Sequence, residues 1–379
     1  MRIAFIHSCL EPGKDGVGDY TRLLAQECLN QGHPACLLSL NDPFVTGAPI
    51  ESNDIVPMLR LGRHMPWPER IRKARAFLNV FQPDRISLQF VCYGWHPKGL
   101  AIGIGKRLQP LIDGTPLHLM LHELWIGEDR DAGVKEKIVG AVQRHFVLGM
   151  IRSLQPARVH TSNPAYVQLL ARHRVTAQVL PLFGLIPIVN QPDSSWLEGE
   201  LANLGLDTGP DWRERHWLLG LFGSLHTVWP PEPLFSYLQD AGQRHDRKIV
   251  ILSIGRIGAG ADLWQSLASK YSHQFTFCKL GEQSPEHVSQ FLQFIDFGIA
   301  TTPWTIIGKS ATVSTMLDHG LPVIVNRDEL RYGFDVPNEA ASPLLCKMQP
   351  DLATTLPSLH GRPPHSTLPT IARQMLAEL

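Results

Sequence analysis

The sequence has no excess of charge of either sign. Its 35 lysines and arginines balance 35 aspartates and glutamates, so the formal net charge at pH 7 is zero. A chain without a global positive field is not expected to attract nucleic acid or an acidic membrane by its overall charge, although a local patch stays open. The apolar fraction of 44% and the charged fraction of 18% are typical of a soluble globular protein.

The sequence also lacks the cysteine spacings of zinc sites and disulfide frameworks, and no apolar run reaches transmembrane length. Its six cysteines form no CxxC pair, and most stand in apolar surroundings, which predicts buried thiols in a reducing compartment. The first residues, MRIAFIHS, are typical of a short strand, because the apolar region of a signal peptide is longer. We therefore expect a cytoplasmic protein.

The sequence does contain two successive series of short apolar strands that alternate with helical patterns. The first series predicts strands at 2–8, 35–40, 85–91, 117–124 and 157–162. The second series predicts strands at 217–224, 248–255, 274–281, 297–304 and 321–326. Strands alternating with helices indicate parallel sheets with crossover connections, so we expect an α/β protein made of two doubly wound domains.

The length of 379 residues also favours two domains. A stretch rich in proline, glycine, aspartate and serine separates the two series and predicts a linker or surface insertion. The final segment ends in a helical pattern that we expect to pack back at the junction. The expected division is 1–190 for the first domain, 191–215 for the linker, 216–365 for the second domain and 366–379 for the C-terminal helix.

In open α/β sheets ligands bind at the carboxyl ends of the strands, so the residues after each strand are the candidates. The first strand is followed by the glycine-rich loop GKDGVGDY, and we expect a helix to begin near Asp19. Gly16 and Gly18 permit a tight turn whose exposed amides can receive a phosphate or sugar hydroxyls. The alternative is a flexible loop with an N-capping aspartate. The spacing excludes the GxGxxG dinucleotide fingerprint.

His122 stands near the end of the predicted strand 117–124, beside Glu123. An imidazole at that position can exchange a proton with a substrate or hydrogen-bond one of its hydroxyls. The alternative is a structural histidine, which is the more frequent outcome among 17 histidines. Tyr93 and Trp95, which follow the strand at 85–91, can stack on a sugar or a lipid, or they can be packing residues.

Polar side chains also follow the first two strands of the second series. Ser224, His226 and Thr227 come after the strand at 217–224 and can donate to a phosphate, or they can be turn residues. Arg256 lies in a glycine-rich turn after the next strand. It can pair with an anion, but a solvated surface arginine is the commoner outcome.

The segment IGKSATVST predicts a helix from about Lys309 to His319. A lysine at a helix N-terminus has the wrong sign for the helix dipole unless an anion bridges the lysine and the free amides. The segment is not a Walker loop, because Pro303 takes the place of the first glycine. The alternative is a surface lysine. The predicted diphosphate-binding site consists of Lys309, Ser310 and the amides of Ala311 and Thr312.

Taken in order, several segments resemble the retaining GT-B glycosyltransferases that use nucleotide-sugar donors, the glycogen-synthase-like group. The resemblance spans nearly the full chain, and each motif is weak alone. The segments are GVGDYTRLLAQECLNQGH (16–33), LMLHELW (119–125), HTSN (160–163), VLPLFG (179–184), 275–304 and MLDHGLPVIV (316–325). The resemblance implies two Rossmann-like domains facing across a cleft, with the nucleotide sugar on the C-terminal domain.

The chain departs from this family where the family holds its donor. The family usually carries two glutamates eight residues apart, which contact the donor sugar and the ribose. Those positions hold Ile307 and Thr315. The family's arginine after the first donor-domain strand is replaced by Ser224, and no lysine follows before Pro230. Either the donor site is rebuilt, or donor binding has been lost.

The resemblance therefore implies sugar transfer from a nucleotide diphosphate sugar to a hydroxyl acceptor, with retention. The leaving phosphate can take the acceptor proton, so the resemblance requires no protein base. No cofactor or metal is expected. His122 would contact the reacting sugar, and a glycan, a lipid-linked or a small-molecule acceptor would enter past Gly16, Gly18 and Asp19. The donor contacts expected are Ser224, His226, Thr227, Lys309, Ser310, Thr312 and Thr315, with the base near Lys279, Leu280 and Glu282. The alternative is a non-catalytic binding or scaffold protein of the same fold.

Overall fold

The computed structural model describes residues 1–52, 54–112, 114–337 and 342–379. The chain forms two compact units. The first contains residues 1–182, 331–337 and 368–379, and the second contains residues 183–330 and 338–367. Each unit is built around its own sheet.

The first unit contains an eight-stranded sheet in the order β3-β4-β2-β1-β5-β6-β7-β8. Among the described strands of this sheet, β3 and β4 pair antiparallel and all other neighbours are parallel. All five strands predicted for this half are present, and β3, β4 and β8 were not predicted. The strands are β1 (Ile3–His7), β2 (Ala35–Asp42), β3 (Ile50–Ser52), β4 (Met58–Gly62), β5 (Arg85–Phe90), β6 (Leu117–Leu121), β7 (Arg158–Thr161) and β8 (Gln178–Val179).

Helices connect these parallel strands. They are α1 (Gly16–Asn30), α2 (Trp67–Phe81), α3 (Ile104–Ile112), α4 (Val134–Leu154) and α5 (Pro164–Ala171). Helix α1 begins at Gly16, three residues before the start we predicted, because Asp15 caps it. The Asp15 carboxylate accepts hydrogen bonds from the amides of Val17 at 3.0 Å and Gly18 at 2.8 Å.

The second unit contains a six-stranded parallel sheet in the order β11-β10-β9-β12-β13-β14. Its strands are β9 (His216–Phe222), β10 (Lys248–Ile254), β11 (Thr276–Gly281), β12 (Phe297–Ala300), β13 (Val323–Val325) and β14 (Leu345–Lys347). Successive residues of one strand pack on opposite faces: Leu218 belongs to one buried apolar cluster and Leu219 to the other. The sheet is therefore covered on both faces, as parallel sheets require.

The helices of this unit are α6 (Ser195–Asn203), α7 (Trp212–Arg215), α8 (Leu234–Arg244), α9 (Ala261–Lys270), α10 (Pro285–Phe294), α11 (Ala311–Asp318) and α12 (Leu352–Thr355). Two of them lie in the polar stretch that we expected to be a linker or surface insertion. Leu197, Leu201 and Trp212 from that stretch are buried in the same apolar cluster as Leu218. A few apolar side chains thus attach a mostly polar segment to the sheet.

Helix α11 begins later than predicted. Its N-cap is Ser310, whose hydroxyl accepts a hydrogen bond from the Val313 amide at 3.3 Å. Lys309 is instead the last residue of a preceding 3₁₀ segment, Trp304–Lys309. The predicted start at Lys309 was wrong because serine satisfies the free amides of a helix and lysine cannot.

The last helix, α13 (Leu368–Glu378), belongs to the first unit and packs against α1. Side chains of the first unit also bind its main chain: Arg85 donates to the Leu379 carbonyl at 2.9 Å, and Arg158 donates to the Glu378 carbonyl at 3.1 Å. All six cysteines are free; five are buried and Cys346 is partly buried. Among the described residues, every helix is too short or too polar to cross a membrane.

Candidate functional site

A cavity of about 390 Å³ lies on the first unit at the carboxyl ends of β1, β2 and β5. The two aromatic residues predicted for the acceptor side, Tyr93 and Trp95, both line it. Hydrogen-bonding and cationic side chains complete the wall, among them Ser8, Asn41 and Arg63. This composition, an aromatic surface with polar groups around it, is suited to a hydroxyl-rich or amphipathic ligand.

Tyr93 and Trp95 are also tied into the fold. The Tyr93 hydroxyl accepts a hydrogen bond from the Gln143 amide at 3.1 Å, while 41% of the residue stays exposed. The Trp95 ring stacks with those of Phe90 and Trp67, with centroid separations of 6.4 and 6.3 Å. The ligand role and the packing role left open by the sequence are therefore compatible for both residues.

The glycine-rich loop reaches the same cavity through Asp15. Gly16 is exposed, whereas Gly18 is buried. A Cβ atom on Gly18 would lie 2.5 Å from the Cys9 carbonyl oxygen, so glycine permits a close approach of the helix to the loop. The Asp19 carboxylate accepts a hydrogen bond from the Gly13 amide at 3.0 Å. Gly18 and Asp19 thus shape the loop.

A histidine that we did not single out, His7, pairs with Asp15. Its Nδ1 donates to the Gln89 carbonyl oxygen at 2.7 Å, and its Nε2 lies 3.1 Å from the Asp15 carboxylate. Burial would raise the pKa of Asp15, but hydrogen bonding and attraction to His7, with the amides of Gly18 and Val17, outweigh it and lower that pKa. The carboxylate therefore stays ionised beside the cavity.

His122 follows the last residue of β6 and is buried, with 6% of the residue exposed. Its Nε2 lies 2.9 Å from the side-chain oxygen of Gln89. Because an amide oxygen only accepts, Nε2 carries the hydrogen and Nδ1 is left as the acceptor nitrogen. Burial, assisted by the nearby His7 and opposed by Asp15, lowers the pKa of His122 to about 3. A neutral imidazole of this kind suits hydrogen bonding better than proton abstraction near pH 7.

A chain of buried side chains continues from this histidine across three strands; we call it the buried relay. The Gln89 amide donates to Ser87 Oγ at 2.7 Å, and that hydroxyl lies 2.8 Å from His118 Nδ1. His118 Nε2 lies 3.0 Å from His160 Nδ1, and His160 Nε2 lies 2.5 Å from the Glu378 carboxylate on α13. Because the last acceptor is a carboxylate, every hydrogen of the relay can point towards Glu378.

The pKa directions agree with this arrangement. Burial, with the neighbouring His160 next, holds the pKa of His118 well below its usual value. Burial also lowers the pKa of His160, although the hydrogen bond and charge of Glu378 oppose it. Each imidazole is therefore neutral near pH 7 and carries one ring hydrogen, which is the number the relay requires.

On the second unit, loops after β9 and β10 meet the start of α11. Gly223 and Gly255 have positive φ values of 77° and 88°. A Cβ atom on Gly223 would lie 3.1 Å from the Thr312 methyl carbon, and one on Gly255 would lie 3.4 Å from the Gly223 nitrogen. Ser310 and Thr312 share a hydrogen bond of 2.9 Å between their hydroxyls. The exposed Ser224 follows Gly223, so the structure brings these three hydroxyl residues to one edge of the sheet.

Cationic groups stand at the same edge. The pKa of His226 is lowered, first by burial and then by the positive charges of Arg327 and Lys309, while Glu329 opposes them. The three basic side chains therefore share one neighbourhood. Arg327, which follows β13, is 7% exposed; its guanidinium donates to the Thr301 carbonyl at 3.0 Å and pairs with Glu329.

Other predicted donor residues are placed differently. Arg256 forms an exposed pair with Glu282, with nitrogen–oxygen distances of 2.9 and 3.2 Å, so its anion is a protein carboxylate. Lys279 is exposed on the edge strand β11, two residues before the strand ends. Thr227 is exposed in the loop after β9.

Thr315 does not support the ribose contact expected of it. The residue is 1% exposed; its hydroxyl donates to the Ala311 carbonyl at 2.8 Å and accepts from the Leu185 amide at 3.0 Å. The Thr315 hydroxyl therefore both donates and accepts a hydrogen bond inside the fold. Ile307, the other position where the resembling family has a glutamate, packs against the buried apolar cluster that contains Leu218.

Sequence reasoning missed Arg327 and the buried relay. Arg327 could have been predicted as a site residue, because it directly follows a predicted strand of the second series. The polar residues Ser87 and Gln89, inside an otherwise apolar strand, also carried a signal, since buried polar groups require partners. The sequence carried no signal for Glu378, because 218 residues separate it from its partner His160. Among the described residues, no group of three or more histidine, cysteine or acidic side chains could hold a metal ion.

No model of a protein family matches the chain, and no curated protein matches it. Several solved structures, in contrast, match the chain. Sucrose-phosphate synthase from Thermosynechococcus elongatus is 14% identical with a TM-score of 0.58, covering all of this chain and 94% of its own. HepE from Anabaena, in complex with UDP and glucose, is 12% identical with a TM-score of 0.57, covering all of this chain and 95% of its own.

The catalytic domain of starch synthase IV from Arabidopsis thaliana, bound to ADP and acarbose, is 13% identical with a TM-score of 0.53. That match covers 90% of this chain and 86% of the other. The chain has the GT-B fold. The two sheets, each parallel apart from the β3–β4 pair, are the halves of that fold. At identities this low the likeness concerns the GT-B architecture and not the chemistry of its sites.

Proposed function

We propose that this GT-B protein is a glycosyltransferase that moves a sugar from a nucleotide diphosphate sugar to a hydroxyl acceptor. The observation that carries the proposal is the edge of the second sheet, where hydroxyls, a helix N-terminus and basic side chains meet. The matched structures of HepE and starch synthase IV contain UDP and ADP, respectively. These complexes support a nucleotide as a ligand of this chain.

The donor diphosphate would bind to the hydroxyls of Ser224, Ser310 and Thr312 and to the first amides of α11. A diphosphate carries about two negative charges, and protein sites that hold one usually supply amides and cations. Lys309 and Arg327 supply the positive charge in this proposal. Arg327 contributes by electrostatic attraction and not by direct contact, because its guanidinium already forms a salt bridge with Glu329. This set replaces the acidic and basic contacts that the resembling family uses.

The acceptor would bind in the cavity lined by Tyr93 and Trp95 on the first unit. We assign His122 to a hydrogen bond with the reacting sugar, because a group with a pKa of about 3 is a poor base at neutral pH. The leaving phosphate would take the acceptor proton, with retention and without a metal or cofactor, as the resemblance implies. The free thiols support a reducing compartment, and we propose the cytoplasm.

A thermal-shift panel of nucleotides and nucleotide sugars tests the proposal. A ligand present at a hundred times its dissociation constant should stabilise the fold by about 2.7 kcal/mol. Lys309→Ala should weaken binding of the best nucleoside diphosphate roughly tenfold, the order expected for one charge-assisted contact. Lys248→Ala is the matched control, because it removes an exposed lysine of the same unit from the amino end of β10, away from the proposed donor site. Equal affinities of the two variants by calorimetry would refute the role of Lys309.

The second candidate is a non-catalytic binding or scaffold protein with the GT-B fold. It is favoured by the side chains at the family's two glutamate positions: Ile307 packs in an apolar cluster, and Thr315 is buried and hydrogen-bonded internally. A panel in which no nucleotide or nucleotide sugar shifts the melting temperature would support this candidate and reject donor binding.

A further inference from the structure

The first unit carries a second concave surface, formed by α2 and α3, that the proposed function does not use. This groove, the α2–α3 groove, has a volume of about 690 Å³. Four basic residues line it: Arg72, Arg75, Lys106 and Arg107. Apolar side chains, among them Ile71 and Trp67, lie between them. The local patch of positive charge, which the balanced composition left open, is therefore present on this unit.

The positive charge of the groove is not balanced by acidic side chains among its described lining residues, none of which is an aspartate or a glutamate. Within the described residues, none of the four basic side chains takes part in a salt bridge. All four are exposed. A concentration of unpaired positive charge in a chain of zero net charge is complementary to an anionic ligand.

Trp67 connects the groove to the candidate acceptor cavity. The guanidinium carbons of Arg70 and Arg107 lie 4.5 and 5.1 Å from the centre of its ring. The ring also stacks with Trp95, which lines the cavity. The tryptophan is thus fixed in place by its neighbours, and its ring in turn holds the Arg107 guanidinium at the wall of the groove.

The walls of the groove decide which kind of anion fits. Both walls are helices, whose main-chain groups are bonded internally, so an extended peptide cannot add to them as a strand. The apolar floor also differs from a site for a free, fully hydrated anion. Val80, eight residues after Arg72, is a further exposed apolar residue of α2, with 86% of the residue accessible. A ligand with a phosphate at one end and hydrocarbon at the other satisfies both features.

We propose that the α2–α3 groove binds the phosphate headgroups of anionic phospholipids and docks the first unit on an acidic membrane surface. The inference does not depend on sugar transfer. Each basic residue near an anionic leaflet contributes roughly fivefold to membrane partitioning, so removal of two should weaken it about 30-fold. The contribution should also fall as salt concentration rises, because the groups are exposed.

Vesicle flotation of the full chain tests this assignment. The wild-type protein should float with vesicles that contain phosphatidylglycerol and not with vesicles of phosphatidylcholine alone. The double variant Arg72→Gln/Arg75→Gln should lose about 30-fold in partitioning. The control, Lys248→Gln/Lys270→Gln, removes two lysines from the second unit and should keep wild-type partitioning. Circular dichroism melting curves verify that each variant is folded.

Three results would overturn the proposal. The first is equal flotation with neutral and anionic vesicles. The second is an equal loss of vesicle partitioning in the groove variant Arg72→Gln/Arg75→Gln and in the control, which would indicate a response to overall charge. The third is binding of polyglutamate or of soluble glycerol phosphate, lost in the groove variant, by a protein that does not bind vesicles. Polyglutamate would then indicate an acidic protein partner, and glycerol phosphate would indicate a soluble phosphate ester.

Discussion

The neutral state of His122 has a measurable consequence for stability against pH. Its pKa in the folded protein is about 3, against 6.5 for an unperturbed histidine. As the pH falls below 6.5, the unfolded chain takes up a proton at this residue and the folded chain does not. The stabilising contribution is therefore fully present above pH 6.5 and declines as the pH falls towards 3. Between pH 7 and pH 4.5 the loss attributable to this one group is about 2.5 kcal/mol.

The variant His122→Gln isolates that contribution. Glutamine can still donate to the Gln89 side-chain oxygen but does not titrate, whereas His118 and His160 titrate in both proteins and cancel in the comparison. We expect the free energy of opening to fall by about 2.5 kcal/mol less in the variant than in the wild type over this pH interval.

Hydrogen exchange of the peptide that contains β6 is the suitable assay. It reports opening of the unit that holds His122, so it does not require a chain of two units to unfold in one step. Exchange rates are corrected for the intrinsic effect of pH on amide exchange. Equal losses of protection in the wild type and in His122→Gln would refute the reasoning. An NMR titration that finds the pKa of His122 near 6.5 would refute it as well.

Three further predictions concern other parts of the chain. Glu378→Ala leaves a buried ring N–H of His160 without its acceptor and should destabilise the first unit by about 1–3 kcal/mol; Glu378→Gln keeps an acceptor and should cost less by the same denaturation measurement. Gly18→Ala places a methyl group 2.5 Å from a main-chain oxygen and should lower the melting temperature, whereas Gly16→Ala, with no atom within 4 Å, should not. Binding of a nucleoside diphosphate should raise the lowered pKa of His226, because the ligand brings negative charge to that edge of the sheet. Calorimetry near pH 6 in buffers of different ionisation enthalpy should then detect proton uptake on binding. If no proton is taken up, the diphosphate does not bind beside His226.

The repeated α/β pattern was predictable because buried parallel strands are nearly continuous apolar runs that sequence periodicity detects. The short strands β3, β8 and β14 were not, since two or three residues carry too little pattern. The start of α11 was misplaced because Lys309 drew attention to its charge, while the capping hydroxyl of Ser310 determined where the helix begins.

The candidate sites were predictable only in part. The rule that ligands bind after parallel strands led to His122, Ser224 and Lys309, and it would have led to Arg327 if applied to every strand. The rule could not show that the hydroxyl of Thr315 is used internally, because that depends on a neighbour 130 residues away. Nor could it show the basic groove, since neighbouring helices bring its residues together only after folding.

The most direct test of the central claim is a turnover assay that follows nucleoside diphosphate release from a panel of nucleotide sugars, with water and added hydroxyl compounds as acceptors. The proposed function predicts release from at least one nucleotide sugar, a reduction of roughly tenfold in Lys309→Ala, and wild-type release in Lys248→Ala. Release from none of them, by a protein that the same nucleotides also fail to stabilise, would contradict it.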